Sequence, residues 1–232
     1  MFQFLLNILR SIFGQPEKIP TDNEYTAGDD SLVQPETSGQ IGGKPAPQAR
    51  WYMTPEMINL LSLIRKHESG KAGYNSDYGN NDKWNLVSKT FNEVRALSRF
   101  QVTGKHEASS AIGGYQFLTK TLDYLKGEMR LSGDEIFNAQ LQDDLAIKLM
   151  IRRGLMKYLR GEMRDYTFAN NLAKEWASLP VVTPMRGAHR DLDPGQSYYS
   201  GDRLNRAFHR PEIIMDAVRA LRTTDMIERA KL

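Results

Sequence analysis

The segment Arg65-Lys66-His67-Glu68-Ser69-Gly70 carries the side chain best suited to chemistry. Upstream of it, Met57, Leu60, Leu61 and Ile64 form one apolar stripe of helical period. Thr54-Pro55 is a helix start, an N-cap followed by proline at the first helical position, and Gly70 is the stop. Glu68 therefore stands at the C-terminal end of a core-facing helix. The negative end of the helix dipole and partial burial both disfavour its ionised form. A general acid needs that state, because it must still hold a proton near neutral pH to give to a leaving oxygen. The plain alternative is a solvated glutamate in a charged helix terminus.

Three further segments hold candidate contacts. In Ser109-Ser110-Ala111-Ile112-Gly113-Gly114-Tyr115-Gln116-Phe117, the paired glycines allow close approach of backbone to a ligand or to another backbone. Tyr115 offers a flat face and a hydroxyl, and Gln116 both a donor and an acceptor, which suits sugar hydroxyls and N-acetyl groups. Ser110 is a candidate beside them, and a tight turn with Tyr115 in the core is the alternative. In Trp176-Ala177-Ser178-Leu179-Pro180, Trp176 reads as core on a helix face shared with Leu172 and Leu179. In Gly195 to Asp202, Tyr198 and Tyr199 are placed to stack on sugar rings if the loop exposes them; a satisfied surface turn is the alternative.

The elements that must position these residues are mostly helical. Turns or a small hairpin are expected from Gly73 to Trp84, which is rich in Gly, Asn, Asp and Tyr. Helices are expected near Phe91–Phe100, Phe117–Met129, and from a Ser132/Glu135 capping box towards Tyr158 with a break at Gly154. Another fits Phe168–Leu179, ending at Pro180, and Pro211 opens the last. The fold class is α+β, mostly helical with a small irregular β part and a cleft.

The length of 232 residues fits one domain of residues 51–232 with an N-terminal extension. Residues 1–13, MFQFLLNILRSIF, have helical apolar periodicity but are too short to span a bilayer. They lack a basic n-region and a cleavage site, so no cleavable signal peptide is read there. Such a segment docks on a partner, as in a virion, or lies in a membrane interface. Residues 14–50, rich in Pro, Gly and polar residues, read as a flexible arm. The chain has no cysteine and four histidines, so neither thiol chemistry nor a structural zinc site is expected. No GxxxxGK[ST] sequence occurs. The net charge of +3 gives mild attraction to polyanions at most, and no dense basic face points to nucleic acid.

Taken in order, these segments resemble the lysozyme-like superfamily of phage and bacterial wall-lytic enzymes. The Glu-Ser ending the first helix, the AIGGYQF element at 111–117, WASLP at 176–180 and the SYY-x-G loop at 197–201 carry the likeness. It covers roughly Met53 to Leu221 and is nearest to the lambda-type phage endolysins, which are lytic transglycosylases. The stretch GYNSDYGN, followed by TFNEV, is more similar to phage-tail and secretion-associated wall hydrolases.

The resemblance implies that Glu68 is the catalytic acid and that Tyr115 and Gln116 line the sugar groove. The substrate would be bacterial peptidoglycan, cut at the β-1,4 bond between N-acetylmuramic acid and N-acetylglucosamine, with no cofactor or metal. Without a second carboxylate the muramyl 6-hydroxyl attacks and a 1,6-anhydro sugar results. Asp77, nine residues after Glu68, is the candidate that would instead steer water, and Glu107 is another; a turn-forming aspartate is the alternative for Asp77. Action in the virion, periplasm or cell wall follows from the same likeness. A virion protein that keeps the fold without catalysis is the rival reading.

Overall fold

The computed structural model describes residues 53–78, 81–103, 107, 109–201 and 207–230. The apolar segment 1–13 and the arm 14–50 lie outside them. Helix α1 spans Pro55–Ser69; Thr54 caps it by accepting from the Met57 N–H at 3.3 Å, and Gly70 ends it at φ 55°. Its apolar stripe is buried, and so is Glu68 in its last turn.

The chain then tightens into a 3-10 segment, Gly70–Asn75, which bends at Gly73 (φ 53°). The hairpin alternative for residues 73–84 is not what forms: among the described residues there, turns take its place. Side chains rather than a neighbouring strand satisfy this backbone. Asn75 Oδ1 accepts from the Val87 N–H at 3.0 Å, and Asp77 Oδ1 accepts from the Asn81 N–H at 3.0 Å.

Helix α2 (Phe91–Val102) opens with a capping box of Thr90 and Glu93. The Ser132/Glu135 pair expected to start a helix also forms, with Glu135 Oε1 accepting from Ser132 N–H at 2.9 Å. It closes a turn instead. Residues 135–137 are claimed by extended pairing with 89–91: the Phe91 N–H reaches Glu135 O and the Phe137 N–H reaches Lys89 O, both at 2.8 Å. The helix that follows starts at Ala139 instead, behind Asn138, whose side chain accepts from the Leu141 N–H as its cap.

Helix α3 (Thr119–Met129) starts two residues later than the pattern suggests. Phe117 is held in an antiparallel bridge with Ile112, which folds Gly113–Gln116 into a tight loop. Helix α4 (Ala139–Arg152) breaks at Gly154 (φ 107°) as expected, and α5 (Leu155–Leu159) follows. Helix α6 covers Asp165–Ala173, so it stops before Trp176. The residues after it pair sideways with the 195–197 loop: the Val181 N–H bonds Gln196 O at 2.8 Å and the Gly195 N–H bonds Val181 O at 2.9 Å. Strands β1 (Met185–Arg186) and β2 (Asp191–Leu192) make a two-stranded antiparallel sheet with Met185 opposite Leu192. The small β part thus sits in the 180s loop and not in the 73–84 stretch. Helices α7 (Pro211–Ala220) and α8 (Thr224–Arg229) end the described chain.

The fold is α+β and mostly helical, as the patterning predicts. One continuous core runs through it. Helix α7 packs on both α1 and α6, which fixes the end of α1 against the rest of the domain.

Candidate functional site

Glu68 is 5 % exposed, and its Oε1 accepts one hydrogen bond, from the Ser178 backbone N–H at 3.3 Å. Burial pushes its carboxyl up from the ordinary 4.5 to about 7; the donors of Ser178 pull the other way and only partly offset the lost hydration. The group is therefore about half protonated at neutral pH, poised between giving and taking a proton.

The partner turn is rigid for visible reasons. Phe208 N–H donates to Ser178 O at 3.0 Å, Ser197 Oγ donates to Ala177 O at 2.9 Å, and Pro180 bridges Ser197. Trp176, although outside α6, is in the core as expected, 3 % exposed, with its ring centroid 6.5 Å from that of Tyr115. One turn of chain thus joins the end of α1, the glycine-rich loop and the tyrosine loop.

A second set of bonds positions α1 from its other side. Arg65, one turn before Glu68, donates to the Tyr74 hydroxyl at 2.7 Å. Tyr74 and Tyr115 both donate to Asp143 Oδ1 on α4, at 2.8 Å and 2.5 Å. Gly114 lies so close that a Cβ there would stand 3.0 Å from Arg65 and 3.1 Å from Tyr74. Burial foremost, then the neighbouring Asp143, holds the Tyr115 hydroxyl well above its usual range, so it stays a neutral donor. Gln142, fully buried, braces the same loop: its Oε1 accepts from Gly114 N–H at 2.7 Å, and its Nε2 donates to Tyr74 O and Phe137 O, both at 3.0 Å.

Several residues expected to face a sugar are turned inward. Tyr115 is 2 % exposed and bonded to Asp143, which fits the core alternative rather than a groove wall. Ser110 is buried; its carbonyl takes the Ser98 hydroxyl at 2.6 Å and its Oγ takes the Thr119 N–H at 3.3 Å, so it anchors α3. Tyr199 is buried and donates to Lys174 O at 2.6 Å; Tyr198 is half-buried against it. For Tyr115 and Tyr199, hydrogen bonding to neighbouring elements has won over stacking, because a buried hydroxyl needs a partner.

Gln116 is different. It is buried at φ 51°, its Nε2 donates to Gly113 O at 2.9 Å and Ser76 Oγ at 3.2 Å, and its Oε1 has no partner among the described residues. Asp77 is fully buried in its own turn: Oδ1 takes the Asn81 N–H, and Lys83 stands 3.5 Å from Oδ2. Burial raises its pKa; Lys83 and the Asn81 bonds oppose the rise. Glu107 pairs with Lys83 at 2.9 Å. The open hollow at the β1–β2 hairpin, lined by Pro184, Met185, Arg186, Asp191, Leu192 and Asp193, contains none of these residues. Sequence reasoning did not single out Gln142, Asp143 or Ser178 for this neighbourhood. Their partners lie 28 to 110 residues away, and no local pattern marks such pairs.

A mostly helical α+β domain whose first helix ends in a buried acid, braced by a glycine-rich loop, has the layout of a lysozyme-like protein. A family model described as Endolysin matches residues 58–209, well over half of the sequence, and the chain belongs to the endolysin family, phage-related enzymes that degrade bacterial peptidoglycan. No curated protein and no solved structure matches the chain.

Proposed function

We propose that the chain cleaves the β-1,4 bond between N-acetylmuramic acid and N-acetylglucosamine as a lytic transglycosylase, with Glu68 as general acid and then general base. The carrying observation is the burial of Glu68, which lifts its pKa to about 7. Glu68 gives its proton to the glycosidic oxygen as the C1–O bond breaks and its electron pair moves to that oxygen. The resulting carboxylate takes the proton of the muramyl 6-hydroxyl as that oxygen bonds to C1, which leaves a 1,6-anhydro sugar and a regenerated acid.

The anhydro outcome is favoured over hydrolysis by the state of Asp77. A carboxylate that steers water must present an oxygen to it, and both Asp77 oxygens face the 81–83 turn. Gln116 Oε1, unpartnered among the described residues but buried, is enclosed beside Gly113 and Ser76, so a sugar contact there needs the 113–116 loop to open. Docking of residues 1–13 on a virion partner or in a membrane interface, with 14–50 as the arm to a domain of 51–232, is proposed from the sequence alone.

Mass analysis of the muropeptides released by the protein tests the reading. The expected product ends in the anhydro sugar, lighter by one water than a reducing end, and Asp77→Asn releases the same product at a rate within about threefold of wild type. Reducing-end products that vanish in Asp77→Asn would overturn it in favour of a muramidase.

A further inference from the structure

We propose that Ser178 is a positioning residue for the acid, a two-donor cradle that receives the Glu68 carboxylate each time its proton leaves. The inference rests on the reading of Glu68 as general acid/base.

The geometry carries it. The Ser178 N–H already holds Glu68 Oε1 at 3.3 Å. That bond leaves Oε2 as the oxygen free to carry the proton. The Ser178 side chain is 2 % exposed, and its Oγ has no hydrogen-bond partner among the described residues. A buried hydroxyl without a partner is rare and disfavoured, so its persistence beside a functional carboxyl calls for a use. The hydroxyl stands close enough to the same carboxyl to favour its charged form, yet it makes no well-angled bond to it in this resting geometry. A turn about Cα–Cβ swings Oγ itself towards the carboxyl and lets it donate, with no movement of backbone.

The chemistry supplies the use. When Glu68 gives up its proton, a bare carboxylate is left at a position only 5 % exposed, and charge there is strongly disfavoured. Two preorganised donors aimed at the developing charge lower that barrier, by the logic of an oxyanion hole turned on the enzyme's own acid. Preorganisation is visible: the Ser178 and Ala177 carbonyls are held by Phe208 N–H and Ser197 Oγ at 3.0 Å and 2.9 Å, so the turn cannot drift as the charge appears.

The test is the pH profile of muropeptide release by full-length Ser178→Ala, Ser178→Thr and Glu68→Gln. Ser178→Ala keeps the backbone donor and loses the hydroxyl. It is expected to lower the plateau kcat about 10- to 100-fold with KM unchanged. Its alkaline limb should also move upward, since the carboxylate has lost a donor. Ser178→Thr, which restores the hydroxyl, should return the limb and most of the rate. A purely structural serine would leave the limb in place, and an Ala variant with wild-type limb and plateau would overturn the inference. If Ser178→Ala folds poorly, Ser178→Cys, of similar size with a weak donor, should still show the upward limb. Its absence there would also overturn the inference. Activity retained by Glu68→Gln would instead sink the underlying reading of the acid, whatever Ser178 does.

Discussion

Glu68→Gln is expected to lose peptidoglycan clearing by about 10³-fold or more while gaining stability above neutral pH. The amide has the shape of the acid and keeps an oxygen for the Ser178 N–H, so the fold has no reason to change. It cannot donate a proton to a glycosidic oxygen at any useful rate. The stability gain follows from burial. The wild-type carboxyl is pushed from 4.5 to about 7 on folding, so between those values the folded state holds a proton that the unfolded state has released. Wild-type stability therefore falls as pH rises from 4.5 and levels off once the folded group has ionised, above about 7. The shift corresponds to about 3 kcal/mol. Chemical denaturation at pH 4 and pH 9 should show the two proteins alike at the lower pH and the variant ahead at the higher. A dead variant with no such crossing would mean that the acid is not buried as described. A variant that clears normally would mean that another group supplies the proton. If neither protein clears, the rival reading of a structural virion protein gains ground.

Gln142→Leu, on α4, should release the glycine-rich loop that braces α1. Leucine fills much the same space but leaves Gly114 N–H, Tyr74 O and Phe137 O without the partners they have at 2.7, 3.0 and 3.0 Å. Each orphaned buried group is disfavoured by about 1 to 3 kcal/mol, and partial rescue by water brings the expected loss to about 4 kcal/mol. For a domain of this size that is a fall of about 10 °C in Tm. Calorimetry reads it directly; a change within about 2 °C would show that the loop is held by packing alone. Because Gly114 touches Arg65, loosening the loop should also blur the position of the helix that carries Glu68.

The parts of this site legible in the sequence are those written locally. Thr54-Pro55 and Gly70 bracket α1 within a few residues of the groups they serve, and the apolar stripe between them sets which face Glu68 shares. Gly154 breaks its helix because only glycine adopts φ 107° readily. Long-range pairings were not legible. Residues 135–137 carried a helix-start signal, but pairing with 89–91 overrode it. For Tyr115 the sequence left groove and core open; the structure buries it, because its hydroxyl finds Asp143, 28 residues on, and a sugar-facing pose would leave that carboxylate in the interior without it. Ser178 lies in the marked 176–180 segment, but no local pattern shows its link to Glu68, which crosses 110 residues.

Burial of Glu68 lets its carboxyl hold a proton up to near neutral pH. A carbon-13 NMR titration of glutamate-labelled protein, with the Glu68 resonance assigned by its disappearance in Glu68→Gln, measures this at the atom concerned. A midpoint near 7 is expected. A midpoint near the ordinary 4.5 would contradict it.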